Sequence, residues 1–172
     1  MGASIRIDDA RGLEALRARL HAAREHARNQ LRQLVDDPNP LARLKFERLG
    51  CDPVDINDAQ NLAEQIDQQA TYEVAATCLE ALLARHPGRS WDLAPGAHGS
   101  GPDIQSTDGQ VVAEVFAAVH PANNGKLKKD IAKLAKSTAP HRYVFFRSPQ
   151  VPPSERLENG VIVVALPEYR SS

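Results

Sequence analysis

A chain of 172 residues with 42% hydrophobic and 25% charged side chains is long enough for one domain with a real core, and too apolar for a disordered polymer. Its 21 basic and 22 acidic residues leave a net charge of −1, which excludes a protein that coats nucleic acid through overall charge; any such contact must come from a local patch. No window approaches the length of a membrane span and the first residues lack the apolar run of a secretory leader, so a cytoplasmic protein with no membrane partner is expected.

Asp8-Asp9 precedes a Leu/Ala/Arg/Glu run and reads as a helix start, because acidic side chains are favourable at the positive end of a helix. Leu13, Leu16, Leu20, Ala23, Ala27, Leu31 and Leu34 recur at three- and four-residue steps and make one narrow apolar seam. Such a seam needs a partner helix, from this chain or from a second copy of it. Pro38 and Pro40 break the helix, and a short second one is expected over 41–49. A long third helix over about 58–86 carries Leu62, Ile66, Ala70, Val74, Cys78 and Leu82 on a wider apolar face and stops at His86-Pro87-Gly88. Cys51 and Cys78 belong to no ligand spacing and read as reduced thiols.

From Ser90 the pattern becomes extended. Trp91 lies in a short strand, and residues 94–102 form a glycine-rich connection that contains His98. Ile104 and Val111–Phe116 then flank Asp108-Gly109, a strong hairpin signal, because glycine tolerates the positive φ of such a turn. Asp103 and Glu114 therefore fall near one another across two paired strands. By parity Val112, Glu114 and Phe116 share one face and Val111, Ala113 and Val115 the other, which puts Glu114 on a different face from the expected core. A helix over 126–137 follows, with Leu127, Ile131 and Leu134 inside and Lys126, Lys129, Lys133 and Lys136 as a basic outer stripe. Strands over 141–147 and 160–166 complete the chain, with a loop at 149–153.

Pro102-Asp103, a ten-residue spacer and Glu114-Val115-Phe116 on the next strand resemble the motif of the PD-(D/E)xK nuclease superfamily. The resemblance spans about residues 58–166. It implies an α/β restriction-endonuclease-like core over 58–172, a mixed sheet flanked by helices; residues 1–57, which have no counterpart in that family, are expected as an N-terminal helical arm or hairpin. It also implies Mg²⁺ or Mn²⁺ held by Asp103 and Glu114 beside a scissile phosphate, oxygen ligands being what these cations prefer. A carboxylate from the preceding helix, Glu73 or Glu80, would assist. The motif lysine falls on Phe116, so a displaced lysine at the start of the next helix, Lys126 or Lys129, would take its role. The stripe Lys126, Lys129, Lys133 and Lys136 would track phosphates without reading bases.

The expected activity is metal-dependent endonuclease cleavage. The same residues admit a second reading, a catalytically inactive nuclease fold that binds nucleic acid or another protein, or that forms a homodimer through its N-terminal helices. His98 and His120 flank the hairpin as available acid–base groups. No phosphate-binding loop or nucleophile elbow is present.

Overall fold

A computed structural model describes residues 4–94 and 101–168. The protein is α/β: a seven-stranded mixed sheet with helices on both faces, and a two-stranded ribbon beside it. In chain order the elements are β1 (Ile5–Ile7), α1 (Ala10–Gln33), α2 (Pro40–Phe46), β2 (Gly50–Cys51), β3 (Ala59–Gln60), α3 (Leu62–Arg85), β4 (Trp91–Leu93), β5 (Ile104–Ser106), β6 (Val111–Ala117), α4 (Lys126–Ala135), β7 (His141–Arg147), β8 (Ser154–Glu158) and β9 (Val161–Leu166). The sheet order is β1-β4-β5-β6-β7-β9-β8.

Local chemistry sets the ends of each helix. The Asp9 carboxylate accepts from Gly12 N at 2.9 Å and caps α1. Asn61 does the same for α3 through Glu64 N at 2.8 Å. Pro40 opens α2 at a position where no amide is needed. Helix α3 starts four residues later than the sequence pattern suggests, because 59–60 pair with 50–51 as the ribbon.

The sheet is built in two halves. Strands β1, β4, β5 and β6 are successively antiparallel to one another, with Leu93 opposite Ile104 and Ile104 opposite Ala113. Helix α4 then carries the chain across to β7, which lies parallel to β6, and β9 lies parallel to β7. These central strands are apolar on both sides because both sides are covered. Val111, Ala113, Val115, Tyr143 and Phe145 meet α3 and α1 in one core with Trp91, Val74, Cys78, Leu79 and Leu82. Val112, Phe116, Val144, Phe146 and Val163 meet Ile131 and Leu134 of α4 in the other.

Residues 4–57 are continuous with this architecture. Strand β1 forms one edge of the sheet, and Leu13, Leu16 and Leu20 of α1 lie in the same core as α3. The α1 seam is buried only in part: Ala23 is covered, whereas Leu31 is exposed. In the first turns of α3 Leu62 and Gln65 are buried, whereas Ile66 is exposed. Strand β8 occupies the opposite edge, paired antiparallel to β9 through a tight turn at Asn159-Gly160, both at positive φ.

Candidate functional site

The site forms where the β5–β6 hairpin meets α4. Its turn is fixed by side chains: Asp108 Oδ1 accepts from Gln110 N and from the Ser106 hydroxyl, and Ser106 Oγ accepts from Val111 N at 2.9 Å. Gly109 takes φ +70°, as the turn requires. This register places Asp103, just before β5, and Glu114 on β6 one step beyond the Ile104–Ala113 pair. Asp103 is oriented by its own hairpin, its Oδ2 accepting from Val115 N at 2.9 Å.

Glu114 follows the parity read from the sequence, but its face is not open to solvent. Val112 and Phe116 on the same side are buried under α4, and Glu114 itself is 1% exposed. The expectation of a face apart from the core is corrected here: α4 covers it, making both faces of β6 interior. A buried carboxylate requires compensation. Lys133 supplies it, with Nζ 2.5 Å from Glu114 Oε1, and that oxygen has no hydrogen-bond partner besides this ammonium. The same ammonium donates to the Gly101 carbonyl at 2.7 Å, which ties the segment before Asp103 to α4.

A third carboxylate, Asp130, enters from α4. It is 4% exposed; Oδ1 accepts from Lys126 Nζ at 2.8 Å and Oδ2 has no hydrogen-bond partner. Three acids and two lysines therefore share a small volume, and their protonation is linked. Burial, then the nearby Asp103 charge, pushes Glu114 up to about 7; Lys133 opposes this without cancelling it, and Asp130 adds to it. Burial likewise raises Asp130. For Lys126 burial favours the neutral form, but the hydrogen bond to Asp130 and the charges of Asp130, Asp103 and Glu114 outweigh it and raise its pKa.

Phe116 is the residue that the sequence resemblance sets against a lysine. Its ring stacks on Phe146 at 5.4 Å between centroids and 9° between planes, so this position serves the core under α4. The Lys126 ammonium lies over that ring, 5.9 Å from its centroid. Of the four lysines in the sequence stripe, Lys126 and Lys133 are turned to the carboxylates, while Lys129 and Lys136 are exposed. Sequence reasoning missed Asp130. Its spacing to Lys126 and Lys133, four and three residues, places all three on one helical face and was the available signal.

Other expected residues lie elsewhere. Glu73 accepts from Gln69 and pairs with Arg24, and Glu80 pairs with Arg17; both are directed at α1, on the opposite side of the sheet from Glu114. The assisting carboxylate is therefore not supplied by either. His120 is exposed, and its Nδ1 accepts from Ala122 N. His98 lies outside the described residues.

No group of three or more His, Cys, Asp or Glu side chains that could hold a metal ion occurs among the described residues. Magnesium asks for less, since it is often bound by one or two carboxylates and keeps water or phosphate oxygens as its other ligands. Asp103 and Glu114 fit that demand in donor type, and Glu114 Oε1 would be open to a cation once Lys133 yields its place.

The fold and site define an α/β protein with an acidic–basic cluster between a hairpin and a crossover helix. No protein-family model, curated protein or solved structure matches the chain. No helix among the described residues is long and apolar enough to cross a membrane.

Proposed function

We propose that this chain is a PD-(D/E)xK-type nuclease with a restriction-endonuclease-like fold, hydrolysing phosphodiester bonds with Mg²⁺ or Mn²⁺. The observation that carries the reading is the position of Lys126. Its ammonium stands over Phe116, at the strand position where the motif has lysine, and within the field of Asp103 and Glu114. The succession β4–β5–β6, α4 and parallel β7 agrees with the core such nucleases use.

In this reading Asp103 and Glu114 hold the cation, which would stabilise charge on the phosphate and lower the pKa of a water. Val115 N fixes the Asp103 carboxylate and the hairpin register fixes Glu114 beside it. Asp130 holds Lys126 protonated, so that its charge is available to offset the developing anion. The exposed Lys129 and Lys136 extend the basic surface along α4 for the nucleic-acid backbone.

The test is cleavage of labelled DNA and RNA with Mg²⁺ or Mn²⁺. Wild type should cut, Asp103→Ala and Glu114→Ala should not, and cleavage that survives Asp103→Ala refutes the assignment. The second reading, an inactive nuclease fold used for binding, is favoured by one observation: Lys133 already neutralises Glu114. It predicts nucleic-acid binding or self-association with no divalent cation bound.

A further inference from the structure

We infer that Lys133 is a resident counter-ion that holds the cation's place on Glu114, and that a divalent cation enters by displacing it. The inference rests on the metal-binding reading above, and concerns how that site is regulated. Glu114 has a side chain 2% exposed, so it cannot rely on water to compensate its charge. Its Oε1 is occupied by Lys133 Nζ at 2.5 Å. A cation on that oxygen and an ammonium at that distance would repel strongly in a poorly screened setting, so the two states exclude one another.

Two further features fit an exchange rather than a permanent pair. The Lys133 side chain is 40% exposed, so it has room to leave. An alternative anchor is also present, because Asp130 sits three residues earlier on the same helix and keeps a buried Oδ2 without a hydrogen-bond partner. Departure of Lys133 from Glu114 also breaks its bond to the Gly101 carbonyl, so cation entry releases the approach to Asp103 in the same step. The apparent affinity for the cation is then the intrinsic one multiplied by the fraction of molecules in which Lys133 has left.

The experiment is calorimetric titration of Mn²⁺ into wild type, Lys133→Met and Glu114→Gln, each first checked for native circular dichroism. The expected result is binding about tenfold or more tighter in Lys133→Met than in wild type, and none in Glu114→Gln. Equal or weaker binding by Lys133→Met, with wild-type binding that still needs Glu114, overturns the counter-ion role and leaves the metal site standing. No Glu114-dependent binding in either wild type or Lys133→Met overturns the metal reading, and this inference with it. A measurement on wild type alone guards against a misfolded variant: the Lys133 Nζ resonance, followed by NMR, should move as Mg²⁺ binds. A resonance unchanged at saturating bound Mg²⁺ overturns the exchange.

Discussion

Gln65 accepts the amide proton of Cys51 at 3.0 Å, and so joins α3 to the ribbon from a position that is almost wholly buried. Its amide nitrogen donates onward to the Ala23 carbonyl of α1 at 2.8 Å. One side chain thus satisfies backbone groups of two other elements. Gly50 is part of the same fit, because a Cβ there would lie 2.7 Å from Gln65 Oε1.

Gln65→Leu should therefore destabilise the protein although it adds apolar volume. The variant leaves the buried Cys51 N–H unpaired, at about 1–3 kcal/mol, and takes from the Ala23 carbonyl the second donor it has beyond its helical bond. Urea unfolding should show a lower midpoint with an unchanged slope. An unaltered midpoint would mean that water replaces both bonds.

Glu114 gives stability an unusual pH dependence. Its folded pKa of about 7 lies above its ordinary value of 4.5, so between these values the folded state holds a proton that the unfolded chain has released. Stability from this group is greatest below pH 4.5, falls as pH rises, and has been lost above pH 7. Glu114→Gln should remove that fall and make the protein more stable than wild type at pH 8, by on the order of 3 kcal/mol. The check is the melting temperature of both proteins at pH 5 and pH 8; no widening of the gap at pH 8 contradicts it.

His86 acts in the opposite sense. Burial, then the neighbouring His141, Arg89 and Arg85, lowers its pKa below 6.5, while its Nε2 lies 3.0 Å from the Tyr143 hydroxyl. Its contribution is present above pH 6.5 and is lost as the pH falls through the lowered pKa. His86→Gln keeps a neutral hydrogen-bonding group and should resist acid better than wild type between pH 6.5 and 5, as judged by thermal melts. In the double variant with Glu114→Gln the two pH slopes should both be gone.

Placing a lysine at position 116, where the proposed nuclease motif would have one, should fail. Phe116→Lys would remove the stack on Phe146 and bring an ammonium under α4 beside Lys126, at a stability loss of about 3 kcal/mol or more. Lys126→Met should instead fold normally and, under the proposed nuclease function, lower cleavage by roughly a hundredfold with Mn²⁺ binding retained. Rates from Lys126→Met equal to wild type would remove Lys126 from the proposed chemistry.

The α/β class, the long helices and the central strands were legible because each carries its own period. Val144–Phe146 read as a strand covered on both sides, and it is one. Strand β1 was not legible, since Ile5-Arg6-Ile7 is too short to show alternation and is specified by pairing with β4. Strand β8 was missed although Asn159-Gly160 is a hairpin signal, because its outer residues are polar and give no apolar pattern. In the site, proximity of Asp103 and Glu114 followed from the turn. The burial of Glu114 did not, because it depends on where α4 lands, and no local period encodes that.

The two ends of the sheet have a bearing on how the molecule behaves among its own kind. One rim is a strand of three residues whose Arg6 is ion-paired to Asp92; the other carries Glu155, Arg156 and Glu158. Short length at one side and charge at the other are poor templates for a stray extended chain. Fibril-like growth by strand addition is therefore disfavoured at both rims.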